Sequence, residues 1–124
     1  MPKREIRTDR APNPAGSYSQ GIVSGSIVVT AGQVGANPDT GSMPEGIGEQ
    51  TQQVLKNIAA ILNEAGASLD DVIKVTVHLA SMDDFDGFDE VYRTHFKAPY
   101  PARTTVESVL DGPLIEVDVM AVKG

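Results

Sequence analysis

The chain has 124 residues, a formal charge of −7 at pH 7, 40% hydrophobic residues and no cysteine. This length fits one domain, and we expect residues 1–124 to form a single one, with a partly mobile segment at about residues 1–12. The missing cysteines exclude disulfides, thiolate catalysis and thiolate metal sites, and the acidic charge disfavours a nucleic-acid partner, because a polyanionic backbone needs a basic surface.

The sequence carries no pattern typical of export or of a membrane protein. Residues 1–17 are charged and rich in proline, without the apolar run of a signal peptide. No stretch approaches the roughly 18 consecutive apolar residues of a membrane span. We therefore expect a cytoplasmic protein without a membrane-spanning segment.

The first half of the chain predicts two strands and a long helix. The strands are separated at Gly25, the second running from Ile27 to Gln33, and turn residues follow at 37–46. Apolar residues at helical spacing predict a helix over 49–67, and Gly66 suits its left-handed C-terminal cap. The apolar positions of this helix are Val54, Ile58, Ile61, Leu62 and Ala65.

The second half predicts a strand, a helix and two further strands. Residues 71–80 alternate, with one apolar face (Ile73, Val75, Val77 and Leu79) and one polar face (Lys74, Thr76 and His78). Residues 83–96 return to helical spacing, with Asp83 or Asp84 as the expected N-terminal cap. Their apolar positions are Phe85, Phe88, Tyr92 and Phe96. Strands at 104–109 and 114–122 complete the chain.

These elements predict an α+β fold in which two helices cover one face of a sheet. Yet residues 27–29 are apolar on both faces, and Met120 and Val122 point away from the apolar face of the last strand. A second copy of the same sheet is the economical cover, so we expect a homo-oligomer. The alternative is that Met120 and Val122 are isolated exposed residues, which are common.

Arg103, Glu116 and Tyr18 are the first candidates for chemistry. The planar guanidinium of Arg103 matches a carboxylate with two hydrogen bonds, and the alternative is a structural ion pair with one of the 17 acidic residues. Glu116 lies within an apolar strand, where a carboxylate indicates either a water-facing surface or a site. Tyr18 lies between glycines that let a ligand approach, or it simply fills a turn.

We predict neither a metal site nor a cofactor. His78 and His95 have no partner at metal-ligand spacing, and we interpret both as surface residues. The sequence contains no phosphate-binding loop, no dinucleotide fingerprint and no nucleophile elbow.

Recognisable motifs are spread over nearly the whole chain. They are AGSYSQG, VVTAGQVGANPDTG, residues 49–79, MDDFDGFDEVYRTHF, PARTTVE and IEVDVMAV. Together they resemble the RidA (YjgF) family of reactive-intermediate deaminases. The resemblance implies a chorismate-mutase-like α+β domain with a mixed six-stranded sheet and two helices on one face. It also implies a homotrimer with a central β-barrel and ligand clefts between the subunits.

Members of this family hydrolyse imines and enamines, such as 2-aminoacrylate and 2-iminobutanoate, to 2-oxo acids and ammonia without a cofactor. The resemblance implies the same activity here, with 2-imino and 2-oxo acids as the small-molecule partners. It places Arg103 on the substrate carboxylate and Glu116 at the attacking water, either as a base or only to orient it. Tyr18, Gly32 and Thr105 would line the same cleft.

The chain departs from the family pattern in several places, among them Ser17, which replaces a common proline before Tyr18. Many members have asparagine in place of Asp89 and serine in place of Ala31, and the loop at 109–114 is shorter than usual. A carboxylate at Asp89 that faced the cleft would repel an anionic substrate. Two other functions stay open. One is a trimer that binds 2-oxo acids without turnover, which these departures favour; the other is a ribonuclease or translation inhibitor, a label that some relatives carry and that the acidic charge disfavours.

Overall fold

The computed structural model describes residues 2–124, which form seven β-strands and two α-helices. In chain order these are β1 (Arg4–Ile6), β2 (Gly21–Ser24), β3 (Ile27–Thr30), β4 (Gln33–Val34), α1 (Ile47–Glu64), β5 (Val72–Leu79), α2 (Phe85–His95), β6 (Ala102–Glu107) and β7 (Ile115–Val122). Short 3-10 turns at Leu69–Asp71 and Met82–Asp84 precede β5 and α2. No helix within residues 2–124 is both long and apolar enough to cross a membrane.

All the strands belong to one mixed sheet of order β1-β2-β3-β7-β5-β6, with β4 beside β7. β5 and β6 run parallel, whereas the other pairs are antiparallel. The sheet has seven strands rather than the six expected. The stretch from Ile27 to Gln33 is not one strand, because β3 ends at Thr30 and β4 begins at Gln33, and residues 4–6 add a strand at the edge.

The N-terminal residues are held against the sheet by a buried glutamine. The partly mobile segment at about residues 1–12 stays a prediction; within it β1 pairs with β2 and Ile6 is buried. The side chain of Gln20 accepts a hydrogen bond from the Thr8 N–H at 2.7 Å. Its amide nitrogen donates to the carbonyls of Thr8, Ala11 and Pro12 at 3.0, 3.2 and 2.9 Å. These bonds tie the entry of β2 to residues that lie eight to twelve positions upstream of Gln20.

Gln20→Leu is expected to lower the free energy of unfolding by about 2–3 kcal/mol, because it leaves buried backbone groups without partners. Urea denaturation measures this loss. Gln52→Leu is the matched control, since Gln52 is exposed on α1, and its effect should stay within about 0.5 kcal/mol. Equal losses in the two variants would show that the Gln20 hydrogen bonds contribute nothing specific.

Both helices pack on the same face of the sheet and enclose an aliphatic core. Along β7 the odd-numbered residues are buried and the even-numbered ones are partly or fully exposed, as the alternation predicts. The buried side chains of the core include Val54, Leu55, Ile58, Ile61, Leu62, Val75, Val77, Leu79, Ile115 and Val117. Each fully buried Val, Leu or Ile contributes about 1.5–3 kcal/mol relative to exposure.

β5 departs from simple alternation near its start. The alternation predicts Ile73 on the buried face with Val75, but Ile73 is 50% exposed. The reason is an irregularity in the pairing with β7 between Val72 and Lys74, which shifts the register by one residue. A one-residue shift turns the following side chains to the opposite face, so Val72 and Val75 are both buried.

One of the two predicted helix caps is present, the C-terminal cap of α1, whereas the N-terminal cap of α2 differs from the prediction. Gly66 has a φ of 83°, as expected for a left-handed cap after α1. The cap before α2 is different: Asp84 makes no side-chain capping hydrogen bond. Instead the Ser81 hydroxyl accepts from the Asp83 N–H at 3.1 Å and starts the 3-10 turn that leads into α2.

The face of the sheet opposite the helices is uncovered in the single chain. We call it the open face and define its apolar end by Ile27, Met120 and Val122, which are 47%, 39% and 41% exposed. They are neighbours, because Ile27 pairs with Val122 across β3 and β7. A contiguous apolar patch of this kind is typical of an interface. The homo-oligomer stays a prediction.

Candidate functional site

Arg103 lies on β6, and its side chain faces α2. It pairs in register with Val75, a core residue, so both side chains are on the helix side of the sheet. The guanidinium carbon is 4.6 Å from the ring centre of Tyr92 and 5.1 Å from that of Phe88. Phe85 is a third aromatic neighbour at 5.4 Å. The aromatic stripe of α2 thus forms a floor on which the cation rests.

The guanidinium of Arg103 is also paired with an acid of its own chain. Its Nη1 atom donates to Oδ1 of Asp89 at 2.8 Å, and the Arg103 and Asp89 side chains are 22% and 27% exposed. This is the ion pair that the sequence leaves open as an alternative. It occupies one nitrogen, and within residues 2–124 the guanidinium makes no other hydrogen bond. The remaining donors of the planar fork are available to a ligand.

Asp89 is shared between two arginines. Its Oδ2 atom accepts from Nη2 of Arg93 at 3.1 Å, one helical turn along α2. The hydrogen bond from Arg103 lowers the pKa of Asp89 below its usual value, with help from Arg93 and against the opposing effect of partial burial. Asp89 therefore stays ionised at neutral pH. Arg93 was not expected at the site, although its spacing from Asp89 makes an ion pair natural.

A cavity of about 520 Å³ opens beside this group of charges. It is lined by Asp89, Tyr92, Arg93, Tyr100, Pro101 and Arg103. Tyr100 and Pro101 come directly before β6, so the same turn that positions Arg103 also supplies a wall. The volume suits a small organic molecule. Thr105 lies on the same face as Arg103, in register with Val77, but it is outside this lining.

Tyr92 carries a buried hydroxyl in the cavity wall. Its oxygen has no hydrogen-bond partner among the residues that the structure describes. Burial raises the pKa of Tyr92 to about 12, although both the charge and the nearby guanidinium N–H groups of Arg103 act in the opposite direction. The hydroxyl therefore keeps its proton at neutral pH. An unpartnered buried polar group is uncommon in folded proteins and calls for an explanation.

Glu116 and Gly32 form a separate group. Glu116 on β7 pairs with His78 of β5 and with Val34 of β4. A methyl group added at Gly32 would come within 2.8 Å of the Glu116 Oε2 atom. The missing side chain at Gly32 therefore makes the space that the Glu116 carboxylate occupies.

Tyr18 lies in the loop before β2 and is half exposed. Its hydroxyl accepts a hydrogen bond from the Ala15 N–H at 3.1 Å. The loop joins the Gly32 segment through the Ala31 N–H, which donates to the Gln20 carbonyl at 2.9 Å. Ala31 therefore connects the Gly32 segment to the Tyr18 loop through a backbone hydrogen bond and not through its side chain.

The register places Arg103 and Glu116 on opposite faces of the sheet. Arg103 is in register with Val75 and faces the helices, whereas Glu116 is in register with His78 on the open face. The single chain thus brings Asp89 to Arg103 and Gly32 to Glu116, but it does not bring the two groups together. A site that uses both Arg103 and Glu116 needs two copies of the chain.

The open face is polar around Glu116. His78 Nδ1 lies 2.8 Å from the Ser108 hydroxyl, and the Lys74 ammonium donates to the Thr104 hydroxyl at 2.7 Å. Burial raises the pKa of Asp118, against the opposing charges of His78 and Lys74. Across residues 2–124, no three His, Asp or Glu side chains are grouped so that they could hold a metal ion.

Comparison with known proteins agrees with the motifs. A family model described as Endoribonuclease L-PSP matches residues 8–123. A RutC family protein of Pyrococcus abyssi is 47% identical over 99% of both chains. The 2-iminobutanoate/2-iminopropanoate deaminase of Rattus norvegicus is 37% identical over 98% of this chain and 91% of the relative.

Solved structures share the fold. RidA from an Antarctic Psychrobacter species has a TM-score of 0.92 and 38% identity, and the match covers 96% of this chain and 98% of that one. Sequence and structure matches therefore agree over nearly the full length. The chain belongs to the RidA (YjgF) family.

Proposed function

We propose that this protein is a cofactor-free hydrolase that converts reactive 2-imino and enamino acids, such as 2-iminobutanoate and 2-aminoacrylate, to 2-oxo acids and ammonia. One observation supports this function above the others: the Arg103 guanidinium lies in a cavity of small-molecule size with only one of its nitrogens engaged. The deaminase activity named for the rat relative agrees with it.

The residue types suit the reaction. Arg103 holds the carboxylate of the imino acid, and Glu116 of the partner subunit orients or deprotonates a water. The water oxygen bonds to C2 as the C=N π pair moves to the nitrogen, which takes up the proton that the water loses and gives a carbinolamine. The hydroxyl proton then passes to the nitrogen, and the C2=O bond forms as the C2–N bond breaks, which releases ammonia and the 2-oxo acid. An enamino acid first moves a proton from its nitrogen to C3 to become the imine. Positioning lowers a barrier by about 7–11 kcal/mol in ideal cases, and a general base adds about 10²–10⁴-fold.

The proposed enzyme is a homotrimer with its sites between subunits. Two observations support a composite site: Arg103 and Glu116 lie on opposite faces of one sheet, and the apolar end of the open face is uncovered. Packing the open faces of three copies around an axis covers Ile27, Met120 and Val122. It also allows each copy to present its Glu116 to a neighbouring Arg103.

A second candidate is a trimer that binds 2-oxo acids without turnover. The ion pair with Asp89 favours it, because a partly neutralised guanidinium holds and orients an anion less firmly. The ribonuclease activity in the description of the matched family has less support here, since the net charge of −7 opposes binding to a polyanion.

A coupled assay tests the proposal. Threonine dehydratase generates 2-iminobutanoate in solution, and the release of ammonia is followed with and without the protein. We expect the protein to accelerate release in proportion to its concentration, with 2-oxobutanoate as the other product. An unchanged rate, together with 2-oxobutanoate binding by calorimetry, would instead establish the binding trimer.

Gly32→Ala is expected to lower kcat/KM by about 10–100-fold while the fold is kept, because the new methyl group displaces the Glu116 carboxylate. Steady-state kinetics measures the loss, and circular dichroism checks the fold. Gly48→Ala is the control: there the methyl group would meet only Val91, at an ordinary 3.8 Å. Wild-type kinetics in Gly32→Ala would mean that the position of Glu116 is unimportant.

A further inference from the structure

We propose that Asp89, together with Arg93, makes the cavity selective for ligands with one negative charge and that Asp89 is the residue that rejects a second carboxylate. This inference rests on the proposed function, since it concerns the substrate range of the same site. It starts from the observation that the charged groups of the cavity are two guanidiniums and one carboxylate.

The charges of the cavity wall add up to a single positive charge. An imino or oxo acid with an uncharged side chain carries one carboxylate, and its binding neutralises the charge of these three side chains, whereas the Glu116 carboxylate that the proposed function brings from the partner subunit adds a further negative charge. A ligand with a second carboxylate leaves an uncompensated negative charge next to Asp89. In a partly enclosed site this repulsion is screened less than it would be on an open surface, because fewer water molecules and ions lie between the charges.

Arg93 explains why Asp89 does not simply cancel the anion site. Asp89 neutralises one guanidinium, but Arg93 supplies the compensating charge at the rim, where it is 62% exposed. Asn at position 89 would leave two positive charges facing the cavity and would favour a dicarboxylate. A carboxylate at position 89 first suggests that anionic substrates are excluded. We infer instead that Asp89 limits the substrate to one negative charge.

Asp89→Asn separates the effect of the Asp89 charge from that of its hydrogen bond. The substitution removes the charge but keeps an oxygen that can accept a hydrogen bond from Arg103. Binding to the full-length protein is measured by calorimetry with 2-oxobutanoate, which has one carboxylate, and 2-oxoglutarate, which has two. We expect the wild type to bind 2-oxobutanoate at least about tenfold more tightly. In Asp89→Asn this preference should shrink about tenfold, chiefly through tighter binding of 2-oxoglutarate.

Two further variants complete the design. Glu90→Gln removes the same charge from the neighbouring exposed position on α2, outside the cavity lining, and should leave the preference unchanged. Arg93→Gln should weaken 2-oxobutanoate about threefold or more, without helping 2-oxoglutarate.

Several outcomes would overturn the inference. They are equal binding of the two acids by the wild type, no binding of either, and equal changes for both acids in Asp89→Asn, which would indicate a purely structural role. The ammonia assay separates this result from the proposed function. An active enzyme whose preference is unchanged in Asp89→Asn refutes only the charge selectivity, whereas a shifted preference without any turnover refutes only the deaminase.

Discussion

Arg103→Lys is expected to lower kcat/KM for imine hydrolysis by at least about 100-fold, although the positive charge is kept. A lysine ammonium is compact and cannot offer a carboxylate two parallel hydrogen bonds while it also binds Asp89. It also loses the planar contact of the guanidinium with Tyr92 and Phe88. The substrate would then be held through one contact and would rotate away from the water.

The kinetics of Arg103→Lys are measured in the coupled ammonia assay, beside its thermal unfolding. Arg4→Lys is the matched control, because Arg4 is exposed on the edge strand β1, and it should behave as the wild type. If Arg103→Lys kept its activity with an intact fold, two hydrogen bonds from the Arg103 guanidinium to the substrate carboxylate would not be needed for the reaction.

Met120→Glu is expected to convert the proposed homotrimer to monomers and to abolish activity, although every chain keeps Arg103 and Glu116. The open face would have to bury a carboxylate without a partner, which costs several kcal/mol per subunit. Light scattering measures the assembly and the ammonia assay measures the activity. Val109→Glu is the control, since Val109 is 99% exposed in a loop.

Mixing two inactive variants tests the same idea from the opposite direction. Arg103→Lys and Glu116→Gln are unfolded and refolded together. If the site of the proposed trimer is shared between subunits, random reassembly of equal amounts restores one site in each mixed trimer, or about a quarter of all sites, by combining an intact Arg103 with an intact Glu116. Recovered activity supports the composite site, and no recovery from mixed trimers would show that both groups act within one chain.

Much of the fold could be predicted from periodicity. The spacing of Val54, Ile58 and Ile61 predicts α1, and the alternation of β7 assigns Met120 and Val122 to the open face; both predictions are confirmed. The irregularity at Ile73 and the break at residues 31–32 could not be predicted, because they depend on how β5, β3 and β4 each pair with β7. Such pairings join residues far apart in the chain.

The candidate site shows the same limit. Motifs single out Arg103 and Glu116, but neither motif predicts how β6 and β7 pair with β5, and this pairing places the two side chains on opposite faces. The contact between Arg103 and Asp89 spans 14 residues, and it exists because the Arg103 side chain lies against α2. Arg93 and Tyr100 are ordinary surface types in the sequence, and only the packing of α2 against the turn before β6 brings them to the cavity.

The tyrosines in the cavity wall allow ligand binding to be followed by intrinsic fluorescence. The chain has three tyrosines and no tryptophan, and two of the three, Tyr92 and Tyr100, line the cavity. Emission from the unlabelled protein is thus weighted towards the place where a ligand would sit. Occupancy of the cavity can be followed as quenching of tyrosine fluorescence, with Tyr100→Phe and Tyr92→Phe separating the two contributions.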